Sequence, residues 1–151
     1  MKKYFVLFFI IMAATVHAQQ NLSRKDISGN WHVIKFIWAD KDDSEKESFP
    51  RFEKFFLGSK INFDSTGVFG FTTSYKDREL EQQFSELGIK KAYWYYDPST
   101  KFINIYTSAK RSNETLALQI QTRVENSLTI FHIAETPLYF SMKKDTSAAI
   151  R

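Results

Sequence analysis

The stretch ETLALQIQTRVENSLTIFHIA, residues 114–134, carries the clearest structural signal in the chain. Within residues 114–124, apolar side chains such as Leu118 and Ile120 alternate with polar ones, as expected of a strand that buries one face. A polar turn follows, and residues 128–134 are again rich in β-branched and aromatic side chains. The stretch therefore predicts a hairpin of two antiparallel strands.

Similar strands and turns recur along the rest of the chain. Eight strands are predicted, at residues 27–39, 60–64, 68–75, 92–96, 101–107, 114–124, 128–134 and 138–143. Strands that follow one another through short connections usually pair as antiparallel neighbours. Eight of them are enough to close into an up-and-down barrel that holds one small ligand. We therefore predict an all-β fold of this kind with one or two short helices; a flat or sandwiched sheet is the alternative.

The segments between the strands predict helices and an exposed loop. Residues 40–48 contain no apolar side chain, which predicts a solvated loop. Aromatic residues at helical spacing predict a short helix at residues 49–57, and a second helix at residues 77–88 begins with the N-cap residue Asp77. The first strand, residues 27–39, has apolar residues on both faces and is predicted to be covered on both sides.

The two ends of the chain differ from its middle. Residues 1–18 have a basic start, an apolar run and small residues before position 19, which is typical of a cleavable signal peptide. Export to the periplasm or the medium is therefore predicted. The apolar run is shorter than the roughly 20 residues of a membrane-spanning helix, so no membrane span is expected. A polar extension at residues 19–26, one domain at 27–144 and a tail at 145–151 complete the predicted organisation.

Composition argues against several functional classes. The chain has no cysteine, and removal of Lys2 and Lys3 with the signal peptide leaves 19 of its 21 basic residues against 17 acidic ones, so no nucleic-acid partner is predicted. Neither a glycine-rich phosphate loop nor a nucleophile elbow is present, and we predict neither an enzyme nor a cofactor. His132 and Glu135 would point to opposite faces of one strand, so no metal site is predicted.

Two motifs at the ends of the predicted barrel resemble a known family. Ile27-Ser28-Gly29-Asn30-Trp31 opens the first strand, and the aromatic stretch LYFSMKK closes the last at residues 138–144. An export signal, a Gly-x-Trp motif, a series of hairpins and such an ending resemble the bacterial lipocalin-like domains of the calycin superfamily. The resemblance covers residues 27–144 and implies structural roles for Gly29 and Trp31. Trp31 would plug the closed end of the barrel, with Lys143 or Lys144 across its ring.

The surplus of aromatic residues is the main indication of function. The chain has 15 Phe, 7 Tyr and 3 Trp, several of them outside the predicted strands. These residues either surround an apolar cavity or fill the core outright, because aromatic side chains also supply packing area. The predicted ligand-binding residues are Phe52, Phe56 and Phe84 in a lid, and Phe63, Phe69, Phe71, Leu118, Ile120, Phe140 and Met142 in the lining.

From these residues we predict a protein that binds a small apolar or amphipathic molecule inside its barrel. The alternative is a protein-interaction module with a filled barrel, which would expose an aromatic patch near Trp38 or Trp94. An enzyme would require two polar side chains that converge in the cavity. The sequence favours none of the possible oligomeric states.

Overall fold

A computed structural model describes residues 22–39 and 43–146, without the side chains of residues 43–46. The predicted signal peptide, residues 19–21 of the predicted extension and residues 147–151 of the predicted tail lie outside the described residues. No helix in the described part of the chain is long and apolar enough to cross a membrane.

Eight antiparallel strands form one closed up-and-down barrel, which confirms the predicted fold class. Each strand pairs with the next, and the last pairs with the first, so the alternative of an open or sandwiched sheet is wrong. The strands are β1 (Gly29–Trp38), β2 (Lys60–Phe63), β3 (Val68–Thr72), β4 (Ala92–Asp97), β5 (Phe102–Tyr106), β6 (Leu116–Glu125), β7 (Leu128–Ile133) and β8 (Leu138–Lys144).

The topology places the two longer helices at the same end of the barrel. The α-helices in the described part of the chain are α1 (Arg24–Ile27), α2 (Asp43–Phe56) and α3 (Arg78–Glu86). Because successive strands run in opposite directions, the β1–β2 and β3–β4 connections leave the barrel from the same end, and these connections contain α2 and α3. We call this the helical end. The other end, where α1 leads into β1, is called the plug end.

Two predictions about the connections need correction. The segment predicted as a polar extension contains α1, which Ser23 caps through reciprocal hydrogen bonds with Asp26. Helix α2 begins at Asp43, so the prediction of a loop is wrong from that residue on, although Glu47 and Ser48 are exposed as predicted; residues 40–42 lie outside the described residues. Pro50 lies inside the helix. Apolar spacing reveals only the part of a helix that packs against the protein, whereas glutamate and lysine form helices well without apolar neighbours. Helix α3 begins after Asp77, as predicted.

A bulge in β1 determines which of its side chains face the barrel interior. The pairing of β1 with β8 shifts between Val33 and Lys35. Val33 and Phe36 are both buried, although simple alternation puts them on opposite faces, because a bulge inserts one extra residue into the strand. Ile34 and Ile37 are 42% and 37% exposed. The prediction that both faces of this strand are covered is therefore wrong.

Aromatic rings fill the barrel interior towards the plug end. The Phe63 ring packs against those of Phe69, Trp94 and Phe131, with centroids 5.3–5.8 Å apart. Trp31 lies 5.3 Å from Phe131, and all five side chains are buried. The indole N–H of Trp94 donates to a backbone carbonyl 2.7 Å away, so burial leaves it satisfied. These rings fill the barrel towards the plug end.

Candidate functional site

A cavity of about 350 Å³ occupies the barrel interior at the helical end. Its volume falls within the range of about 300–1,000 Å³ that is usual for small-molecule sites. No charged side chain lines it among the described residues, and only Gln83 and Thr136 contribute polar side chains. The apolar lining residues are Phe52, Phe56, Ile61, Phe69, Phe71, Phe84, Leu87, Ile89, Ala117, Leu118, Ile120, Phe131, Ile133, Leu138 and Phe140.

Most of the predicted ligand-binding residues lie around this cavity. The inward face of β6 contributes two of them, and others come from β3, β8 and the two longer helices. The predicted residues that line the cavity are Phe52, Phe56, Phe69, Phe71, Phe84, Leu118, Ile120 and Phe140.

Phe63 and Met142 do not line the cavity. Phe63 is fully buried among the rings of the plug end, and Met142 is 2% exposed opposite Val33 in the β1–β8 pairing. Phe63 lies two positions nearer the plug end than Ile61 in β2, and Met142 lies two positions nearer the plug end than Phe140 in β8. Ile61 and Phe140 do line the cavity. Alternation along a strand predicts the face on which a side chain lies. It does not predict the depth at which the barrel stops being filled.

Sequence reasoning missed several lining residues that strand pairing would have revealed. Ile133 lies directly opposite Ile120 in the β6–β7 hairpin, and Ile61 lies opposite Phe71 in the β2–β3 hairpin. Residues directly opposite each other on antiparallel strands share a face. If a pairing register had been assigned to each predicted hairpin, the residues opposite the inward-facing ones would also have been predicted to face the barrel interior.

The predicted lid residues form a continuous aromatic layer over the cavity. The Phe56 ring in α2 lies 5.6 Å from that of Phe84 in α3 and 5.0 Å from that of Phe140 in β8. Phe84 also stacks on Phe71 of β3, with centroids 5.1 Å apart. Ring contacts between the helices and the strands thus hold α2 and α3 against the open end of the barrel.

An ion pair links α2 to the start of α3. The Arg51 guanidinium donates to both carboxylate oxygens of Asp77, at 2.5 and 2.6 Å, and to Glu79 at 2.7 Å. The same Asp77 carboxylate caps α3 by accepting from the backbone N–H of Leu80 at 3.1 Å. The Arg51 guanidinium lowers the pKa of the Asp77 carboxyl to about 2. Both partners are therefore charged at neutral pH.

This ion pair predicts a specific dependence of stability on pH. Because the pKa of Asp77 is about 2 in the folded protein and about 3.9 in an unfolded chain, its stabilising effect is complete above about pH 4 and disappears as the pH falls towards 2. Asp77→Asn keeps an N-cap but loses the charge. We expect this variant to melt below the wild type at neutral pH, and the gap to close between about pH 4 and pH 2 in thermal denaturation.

The exposed carboxyl of Glu114 lies outside this ion pair and provides the control. Glu114→Gln is expected to melt close to the wild type over the same pH range. A melting-temperature gap for Asp77→Asn that stays constant between pH 4 and pH 2 would contradict the link between the ion pair and stability.

Trp31 and Lys144 meet at the plug end. Trp31 is 4% exposed, its indole N–H donates to the carbonyl of Ile27 at 2.7 Å, and the Lys144 ammonium lies 5.5 Å from its ring centroid. Lys144 also donates to the carbonyl of Asp26 at 2.6 Å. Burial lowers the pKa of this ammonium, and the Asp26 carboxylate opposes that shift. Lys143 is exposed opposite His32, so of the two predicted candidates Lys144 is the one over the ring.

Gly29 leaves room for this contact. Its φ of +121° is one that residues with a side chain rarely adopt, and a Cβ there would lie 3.1 Å from Cε of Lys144. The Gly-x-Trp motif thus combines a backbone position that requires glycine with a ring that the lysine covers.

The remaining candidate groups lie away from the cavity. The His132 ring stacks on Tyr139 at 4.1 Å and its Nε2 bonds to the carbonyl oxygen of Thr136. Over residues 22–39 and 43–146, no cluster of three His, Asp or Glu residues is placed to hold a metal ion. Trp94 is fully buried, and Trp38 packs edge-on against Phe52 at 5.3 Å. Tyr93 and Tyr95, which flank Trp94 in β4, are each 37% exposed, so the aromatic side chains exposed near Trp94 are these two tyrosines and not the indole itself.

Comparison of the chain with protein-family models, with curated proteins and with solved structures found no match.

Proposed function

We propose that the protein is a lipocalin-like binding protein that sequesters or carries a small apolar or amphipathic molecule in its barrel, without catalysing a reaction. The observation that carries this proposal is the cavity of about 350 Å³ in a barrel whose other end is filled by aromatic rings. A barrel that served only as a scaffold gains stability from each side chain that closes a void. An apolar space kept open under a lid of two helices is better suited to a ligand.

The lining determines how binding would be driven. With an almost wholly apolar wall, affinity comes from removing apolar surface from water, at about 25 cal/mol per Å² buried. The cost of immobilising the ligand offsets part of this gain. The Thr136 hydroxyl already donates to the carbonyl of Ile133 at 2.8 Å, which leaves the lining few free polar groups. The part of the ligand inside the barrel would therefore be uncharged and largely hydrocarbon.

The volume of the cavity limits the size of the ligand. At about 30 Å³ for each group the size of a water molecule, the space holds on the order of ten non-hydrogen atoms. A medium-length alkyl chain or a single ring system with small substituents matches this limit. Because residues 1–18 have the pattern of a signal peptide, we propose that binding takes place in the periplasm or outside the cell.

Titration with the uncharged fluorophore N-phenylnaphthylamine tests the proposal. The naphthyl ring system of this fluorophore matches the volume limit, and its phenyl ring exceeds that limit and would extend out of the cavity. We expect the emission to rise and shift to the blue as one molecule binds per chain through its naphthyl group, with a dissociation constant on the order of micromolar. Native mass spectrometry of the protein purified without organic solvent should show a retained small molecule that the fluorophore displaces. Emission that rises without saturating would contradict a defined cavity site.

A further inference from the structure

A second space adjoins the barrel cavity. It is a side cleft of about 220 Å³ between the end of β3, α3 and the turn that precedes β4. Phe71, Phe84 and Ile89 line both the cleft and the cavity, so they form the partition between the two spaces. Phe84 is carried by α3, which contacts the barrel through a short apolar face with Leu80 as its buried residue. Phe84 stacks on Phe71 in this partition, so a ligand that spans the two spaces would require a displacement of α3.

The two spaces differ in their charged groups. The cavity has no charged side chain among its described lining residues, whereas Lys76, Lys90 and Glu81 line the cleft. Both lysines are exposed, and Glu81 is half-buried. Among the described residues, none of these three side chains takes part in an ion pair. Two cations and one anion give the cleft a net positive charge that the protein itself leaves uncompensated.

On the basis of the proposed function, we infer that the ligand is an amphipathic anion, with its hydrocarbon chain in the cavity and its carboxylate-like head group in the cleft near Lys76 and Lys90. All three residues of the partition are apolar, so the chain of such a molecule would pass between them without burying charge. The head group stays at the exposed mouth of the cleft and remains hydrated, and its attraction to the lysines is correspondingly modest.

Two ligands of equal chain length separate the contribution of the head group to binding from that of the hydrocarbon chain. Decanoate and decanol have ten carbons each, which suits the size of the cavity, and they differ in charge at neutral pH. We expect the wild type to bind decanoate about fivefold more tightly than decanol when each displaces N-phenylnaphthylamine at low salt, because each exposed ion pair contributes a few-fold at most. Added salt should weaken the binding of decanoate and leave that of decanol unchanged.

Variants of the cleft test the assignment of the head group. The double variant Lys76→Met/Lys90→Met is expected to lose the preference for decanoate and to bind decanol at least as tightly, because it nearly keeps the length of the side chains, removes their charge and leaves Glu81 in the cleft. Glu81→Gln is expected to increase the preference for decanoate. Lys143→Met, which removes an exposed lysine at the plug end, should leave the preference unchanged.

The possible outcomes distinguish this inference from the proposed function. Binding of decanol as tight as that of decanoate in the wild type, or a preference that survives the double substitution, would overturn the inference while the cavity site stands. If neither compound displaces the fluorophore, both the inference and the cavity site are wrong.

Discussion

Replacement of Trp31 with alanine is expected to lower the free energy of unfolding by about 3–5 kcal/mol, the usual cost of removing a large buried aromatic side chain. Trp31 is 4% exposed, and its ring contacts that of Phe131 in the filled half of the barrel. The substitution also removes the donor to the Ile27 carbonyl and the apolar face under the Lys144 ammonium. Urea denaturation followed by far-ultraviolet circular dichroism would measure the loss.

Tyr93 provides the control for this substitution. It is an aromatic residue that is 37% exposed on the outer face of β4, and Tyr93→Ala is expected to cost less than about 1 kcal/mol. A loss below about 1 kcal/mol for Trp31→Ala as well would show that Trp31 does not plug the barrel. A second variant, Trp31→Phe, should lose less than the alanine variant because it keeps a ring against Phe131.

Replacement of Leu118 with tryptophan is expected to weaken the binding of N-phenylnaphthylamine at least about tenfold, which corresponds to about 1.4 kcal/mol. Leu118 lies on the inward face of β6 and lines the cavity. A larger side chain there occupies empty space that a ligand would fill. Overpacking of a filled core usually costs about 1–3 kcal/mol, so a smaller loss of stability here would itself indicate free volume.

The same substitution on the outside of the barrel is the control, because it adds a tryptophan to the protein without filling the cavity. Leu128 in β7 is 40% exposed, and Leu128→Trp is expected to bind the fluorophore as the wild type does. Equal affinity in the Leu118→Trp variant and the wild type would place the fluorophore elsewhere and contradict the cavity site.

The fold class was predictable because alternation is a local property of the sequence. In β6, the inward residues Leu118 and Ile120 stand at every second position, and short turns then leave a meander as the simplest topology. The start of α2 was not predictable in this way, because residues 43–48 contain no apolar side chain from which a helical face could be recognised. The bulge near Val33 was equally hidden, since no single residue type marks it.

The sequence predicted which side chains face the barrel interior. It did not predict how far the cavity extends along the barrel axis. Phe140 and Met142 share the inward face of β8, yet only Phe140 lines the cavity. Which of the two reaches empty space depends on how far the rings of Phe63, Trp94 and Phe131 extend along the barrel axis. That distance is set by contacts between three different strands, β2, β4 and β7. A pattern confined to one strand contains no information about it.

The β1–β8 pairing has a consequence for how the molecule is made. Trp38 lies opposite Leu138, so the ring closes only when the two most distant strands in the chain meet. The entropy of loop closure grows with sequence separation, and this seam is among the costliest contacts to form. Until β8 has joined the sheet, β1 and β7 have unpaired edges that invite strand addition by other chains. The interval before β8 pairs with β1 and β7 is therefore when the chain is most open to aggregation.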